Sequence, residues 1–393
     1  MGQVGKQADI SLNTLSGSYR LQRYPVHKHE TLRAWDAADE YILNHLEESE
    51  LLHPDISLLI LNDNFGGLSI PLSQYQPVVM TDSYLSTQGI SSNLKNNDID
   101  YDSVTIINSL DAPDSVLEKT ADIVLIKVPK SLAMLEDQLH RIRSSVNSET
   151  IIIAAGMTKN IHMSTLDLFK KIIGPTNTSI AYKKSRLIFS QFDAGLSVPE
   201  NPHPVKYKLG YQLDDTELEV INHASVFSRE KLDIGTRLFI EHLPVDERYK
   251  TIVDLGCGNG ILGVIAAIKN PAAKMIFTDE SYMAVESSID NFVNVFGETR
   301  EAEFLQTDCL FGVADNSVSL ILCNPPFHQS NAINDNIAWQ MFTESKAALE
   351  DKGELWVIGN RHLAYHAKLK HLFGSCDVVA SNKKFTLLKA VKK

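Results

Sequence analysis

The chain has 393 residues, enough for about two domains that each bury a core of their own. Hydrophobic residues make up 44% and charged residues 22%, no apolar run reaches membrane-spanning length, and the polar start over residues 1–9 lacks a signal-peptide core. A cytoplasmic protein, not a membrane or secreted one, is therefore expected.

Taken in order, residues 1–18 are polar and are expected to be a flexible amino terminus. Apolar residues at helical spacing predict a helix over Leu32–Leu46. Apolar runs then predict strands at Ser57–Leu61, Val78–Met80, Ile123–Val128 and Ile151–Ala155, with helices at Leu132–Ile142 and Thr165–Ile173. Pro199, Pro202 and Pro204 mark residues 191–206 as a linker. Beyond it the order repeats. Helices are predicted at Leu232–Leu243, Ile261–Ile268, Tyr282–Phe296, through Trp339 and Leu349, and at His362–Phe373. The strands between them are Thr251–Leu255, Lys274–Thr278, Val318–Leu322 and Glu354–Ile358. Strands alternating with helices predict mostly parallel sheets, in α/β domains spanning 19–190 and 207–393.

The repetition is visible in residues. At an offset of 197, Asp36 meets Asp233, His45 meets His242, Asp82 meets Asp279 and Lys127 meets Asn324. At an offset of 200, Gly174 meets Gly374 and Lys183-Lys184 meets Lys383-Lys384. This implies a tandem duplication of one Rossmann-like fold. The copies differ where chemistry would lie: Asn324-Pro325-Pro326-Phe327 faces Lys127-Val128-Pro129-Lys130, so the first copy lacks an amide oxygen there and is expected to be degenerate.

In the second copy, Asp254-x-Gly256-Cys257-Gly258-x-Gly260 between a strand and a helix reads as a nucleotide-binding loop. Gly258-x-Gly260-x-x-Gly263 with Asp279 about 20 residues on also matches a dinucleotide fingerprint, so a nicotinamide or flavin enzyme stays an alternative. An open carboxylate at Asp254 would repel a pyrophosphate but suit the cationic end of S-adenosyl-L-methionine. Asp279 is then placed for ribose hydroxyls and Asp308 for the adenine amine, with a solvated loop acid as the plain reading of Asp308. The prolines hold the Asn324 amide and the Pro325 carbonyl as fixed acceptors for an exocyclic amine, over which Phe327 would stack. The cysteines Cys257, Cys309, Cys323 and Cys376 have neither zinc nor disulfide spacing, and no metal is expected.

Net charge is −12, yet residues 119–190 hold 11 Lys and Arg against 5 Asp and Glu, a segregation compatible with RNA. The glycine loop, Asp279 and Asn324-Pro325-Pro326-Phe327 together resemble class I S-adenosylmethionine-dependent methyltransferases acting on an exocyclic amine. With Val226-Phe227-Ser228-Arg229 and Leu232–Arg237 they resemble, more narrowly, the bacterial ribosomal RNA guanine-N2 methyltransferases. Leu21–Pro25, Ala34–Tyr41, Leu61–Asp63 and Leu125–Lys130 resemble the large-subunit (23S rRNA) methyltransferase G branch. That resemblance implies methyl transfer to guanine N2 of 23S rRNA, by an enzyme expected to act as a monomer. It implies Asp254, Gly256, Cys257, Gly258, Gly260, Asp279 and Asp308 for the cofactor, and Asn324, Pro325 and Phe327 for the base. Lys127, Lys130, Lys183, Lys184, Arg186 and Arg229 are candidate RNA contacts. Transfer to 16S rRNA, adenine N6 or protein glutamine, or a non-catalytic assembly role, are the alternatives.

Overall fold

The computed structural model describes residues 8–27, 30–213, 216–227, 231–326 and 332–393. The chain divides into two compact units, Met1–His203 and Pro204–Lys393, parted inside the proline-bearing stretch.

The first unit opens on a ribbon of β1 (Ser11–Asn13) and β2 (Ser18–Arg20). A flexible terminus over 1–18 therefore does not hold from residue 11 onward. Leu12 is buried in the core, and the backbone N–H groups of Leu15 and Ser16 donate to the Glu47 carboxylate. Helix α1 (Ala37–Glu48) starts later than the apolar spacing suggests, because Asp36 and Asp39 form a reciprocal capping box. There follow β3 (Leu58–Leu61), β4 (Val78–Thr81), α2 (Tyr84–Asn96), β5 (Thr105–Asn108) and β6 (Ile123–Lys127). Then come α3 (Leu132–Ile142), β7 (Ile151–Met157), α4 (Met163–Ile172), β8 (Thr176–Thr178) and β9 (Ser185–Gln191).

The second unit begins with a hairpin, β10 (Val205–Leu213) and β11 (Thr216–Asn222), followed by α5 (Ile234–Glu241), β12 (Thr251–Leu255), α6 (Ile261–Lys269) and β13 (Lys274–Asp279). Next are α7 (Tyr282–Phe296), β14 (Ala302–Gln306), β15 (Val318–Cys323), α8 (Ala332–Ala348), β16 (Leu349–Asn360), α9 (Tyr365–Phe373), β17 (Asp377–Ser381) and β18 (Phe385–Val391).

The two seven-stranded sheets have one topology. Their orders are β5-β4-β3-β6-β7-β9-β8 and β14-β13-β12-β15-β16-β18-β17. In each, five strands run parallel and the penultimate one is antiparallel to both neighbours. Both faces are covered, so the central strands are mostly apolar and alternate residues enter separate cores. In the second unit Ile252, Leu320 and Leu322 join the core under α5, α6 and α7, while Val253, Ile321 and Cys323 join the one under α8 and α9.

A buried asparagine recurs in both units. Asn291 on α7 accepts from the Ile221 N–H at 2.7 Å and donates to the carbonyls of Ile221 and Asn259, both at 2.8 Å. Asn93 on α2 does the same to Gln22 and Phe65, at 3.0 Å for the accepted bond and 2.8 Å for each donated one. Each ties the segment that precedes its unit's sheet to the loop after the first sheet strand. That shared device, together with the shared strand order, is duplication written in hydrogen bonds.

Pleat parity puts Lys127, at the end of β6, on the α1 face. Its ammonium lies 2.8 Å from Asp36 and 2.7 Å from Asp39, and it is 7% exposed. Burial opposes its charge, but the two carboxylates hold its pKa above the usual lysine value. Replacing Lys127 by Ala strands Asp39 as a buried acid, and a loss of about 3–5 kcal/mol is expected in denaturant unfolding of the full chain.

Candidate active site

In the second unit the strand order reverses between β12 and β15, which opens a crevice at their carboxyl ends. The loop after β12 crosses this edge with Gly256, Gly258 and Gly260 at φ of +68°, +56° and +72°. A β-carbon on Gly258 would meet nothing within 4 Å, whereas one on Gly260 would lie 2.5 Å from Ser288. Gly260 is thus needed for packing against α7, and Gly258 leaves a bare stretch of backbone facing open space. In the first unit the corresponding segment is Asn62-Asp63-Asn64-Phe65-Gly66. There Asn62 is tied through its amide to the Lys127 carbonyl and the Gln138 side chain, each at 2.9 Å.

Asp279, at the end of β13, accepts from the Gly258 N–H through Oδ2 and from the Ser281 N–H through Oδ1, both at 3.0 Å. It braces the glycine loop against the start of α7. Asp254 lies deeper than an open carboxylate at the strand mouth would. It is 2% exposed and its Oδ2 accepts from the Gly263 N–H of α6 at 2.8 Å. Burial pushes its pKa up to about 8, against the Gly263 bond and with help from the Asp279 charge. Asp308 follows β14 in a half-buried turn, with its carbonyl accepting from the Phe311 N–H at 2.9 Å. Cys257 is buried in the loop, and burial pushes its thiol pKa up, so it is a packing residue and not a nucleophile.

Asn324 follows β15, and parity turns it to the α5 face. Its Nδ2 donates to Thr236 Oγ1 at 3.0 Å, which directs Oδ1 the other way. That oxygen is buried and has no hydrogen-bond partner among the described residues. Pro325 beside it is buried and Pro326 exposed. Phe327 and Arg229 lie outside the described residues.

Sequence reasoning misses Thr236. The signal is present: at the offset of 197 that pairs Asn324 with Lys127, Thr236 pairs with Asp39. The structure bridges both pairs.

Residues 9–194 match the family described as RLMG N-terminal domain, and residues 217–389 match the Methyltransferase small domain. A Streptomyces avermitilis protein named Ribosomal RNA large subunit methyltransferase G is 46% identical over 384 residues, 97% of this chain and 99% of its own. A Yersinia enterocolitica protein of the same name is 46% identical over 377 residues, 95% of this chain and 92% of its own. The chain belongs to the ribosomal RNA large subunit methyltransferase G family. Its fold is that of the T. thermophilus 16S rRNA N2 methyltransferase RsmC, solved with AdoMet and guanosine. The TM-score is 0.75 at 17% identity, covering 98% of this chain and 97% of that one.

The cations expected at RNA fare unequally in this member of the family. Lys127 is corrected: it is buried in the ion pair with Asp36 and Asp39 and has no free face for a phosphate. Lys130 and Lys184 are exposed, Lys183 is exposed but 2.9 Å from Glu40, and Arg186 is half-buried. Among the described residues no group of three or more His, Cys, Asp or Glu is disposed to hold a metal, and no helix is long and apolar enough to cross a membrane.

The raised pKa of Asp254 has a stability consequence. An unfolded aspartate titrates near 4, so between about pH 4 and the folded value of about 8 the folded cofactor-free protein holds a proton that the unfolded chain has lost. Stability contributed here is therefore present at low pH and lost as pH rises toward about 8. Asp254→Asn removes that loss, so urea midpoints of variant and unaltered chain should diverge in the variant's favour as pH is raised from 5 to 8.

Proposed function

We propose that this protein transfers the methyl group of S-adenosyl-L-methionine to the exocyclic N2 of a guanosine in 23S rRNA. The observation that carries the reading is Asn324 Oδ1: a buried acceptor with no partner among the described residues, at the switch point of the second sheet, beside a glycine loop with open space at Gly258. A buried carbonyl oxygen without a donor costs about 1–3 kcal/mol, and an amine presented by a substrate would remove that cost. The relatives' names point to large-subunit rRNA as the source of that amine.

The residues present fit the cofactor. Gly256, Cys257, Gly258 and Gly260 form a backbone cradle, braced by Asp279 and by Asp254 beneath it, with Asp308 flanking. When bound, S-adenosyl-L-methionine supplies a methyl group on a positively charged sulfur. Asn324 Oδ1 and the Pro325 carbonyl accept from the two N–H bonds of guanine N2, which draws the nitrogen toward a pyramidal shape and localises its lone pair. The nitrogen so held would take the methyl group that the bound cofactor would supply from its sulfur, and its surplus N–H proton would leave to water. No covalent bond to the protein is needed. Phe327, two residues beyond Pro325 in the sequence, is the proposed stacking partner of the base.

Guanine N2 lies in the minor groove of a duplex, so the base must be unpaired or flipped. Lys130, Lys183, Lys184 and Arg186 in the first unit, and Arg229, remain the proposed RNA contacts. The reaction as proposed is cytoplasmic and needs one copy of the chain and no metal.

Nucleoside analysis of separated 16S and 23S rRNA, from cells with and without the protein, should show loss of one N2-methylguanosine confined to 23S. Loss from 16S would move the substrate, and no loss from either would remove rRNA altogether. Asn324→Ala should lower kcat about 10²- to 10³-fold while calorimetry shows cofactor affinity within about twofold of unaltered.

A further inference from the structure

Resting on that reading, we propose that Thr236 is a positioning residue for Asn324, anchoring its side-chain amide by accepting from Nδ2 while Oδ1 meets the substrate amine. A primary amide is nearly symmetric in shape, and only its partners decide which end faces a site. Here the Thr236 hydroxyl accepts the Asn324 Nδ2–H at 3.0 Å, and Oδ1 has no partner among the described residues. A flipped amide would point an N–H at an N–H of the substrate, two donors meeting where a donor must meet an acceptor.

Thr236 is itself fixed independently of Asn324. Its backbone N–H and that of Gly235 both donate to the Asp233 carboxylate, at 3.1 and 2.9 Å. A β-carbon on Gly235 would lie 3.2 Å from the Phe385 ring, so this end of α5 has no room to shift toward the sheet. Thr236 is 9% exposed, and its hydroxyl is therefore a fixed partner for the amide reached by few waters.

The degenerate unit supports the assignment. The positions 39 and 127 stand 197 residues before 236 and 324, and they are bridged too, by Asp39 and the Lys127 ammonium at 2.7 Å. A bridge from the first turn of this helix to the end of the fourth strand in sequence order is thus common to both units. What differs is its product. In the first unit it neutralises a cation, and in the second it leaves an amide oxygen with no partner among the described residues.

The test is a kinetic split with a conservative rescue. Thr236→Val keeps the branched shape and removes only the acceptor, while Thr236→Ser keeps the acceptor. With 23S rRNA and S-adenosyl-L-methionine, the valine variant should lose about ten- to a hundredfold in kcat, with cofactor affinity by calorimetry and KM for RNA within about twofold. The serine variant should restore kcat to within about threefold of the unaltered protein. A valine variant with undiminished kcat overturns the inference and leaves the proposed reaction standing. So does a kcat lowered equally by valine and serine, which marks a packing role. Absence of transfer by the unaltered protein overturns the proposed reaction and this inference together.

Discussion

The second unit turns on one hydrogen bond, from Asn324 Nδ2 to Thr236 Oγ1. Everything that brings those two atoms together is fold: the parity of β15, the stop imposed by Pro325 and Pro326, and the capping of α5 by Asp233. What the bond leaves over is chemistry, a buried acceptor with no donor among the described residues. Such an oxygen is unfavourable in a folded core and is tolerated where a ligand completes it. The glycine loop and Asp279 lie along the same sheet edge, so the proposed cofactor cradle and the proposed amine acceptor share one frame.

The first unit shows the same frame with different side chains. Its strand order matches, its buried Asn93 repeats the bonds of Asn291, and its helix α1 is capped by Asp36 as α5 is by Asp233. Where the second unit has bare glycine, the first has Asn62 bonded to Gln138. At the sheet level of Asp254, β3 carries the apolar Ile60 and Leu61. Lys127 then fills the place of Asn324 and consumes two carboxylates. Each change closes a group that the second unit keeps available.

Much of this is legible in the chain. Long apolar strands between capped helices imply the parallel sheets, and the offset of 197 reveals the duplication from residue identities alone. Helix α2 is not legible: Tyr84–Asn96 is mostly polar, and it is held by the Ser83 cap and by burial of Gly89, Ile90, Asn93 and Leu94. The hairpin β10–β11 alternates charged and apolar residues without a long apolar run, and only its pairing reveals it. Lys127 reads as a phosphate contact because composition registers charge and not burial; its partners are 91 and 88 residues away in sequence. Asp254 reads as lying at the strand mouth for the same reason, since spacing defines the strand but not the depth of its side chain.

A crystal structure of the protein with S-adenosylhomocysteine and guanosine puts the role of Asn324 to the sharpest test. Guanine N2 is expected within about 2.7–3.2 Å of Asn324 Oδ1, with Nδ2 still on Thr236 and no second cofactor in the first unit. Guanine bound with N2 away from Asn324, or a cofactor seated at Asn62–Gly66, would contradict that role.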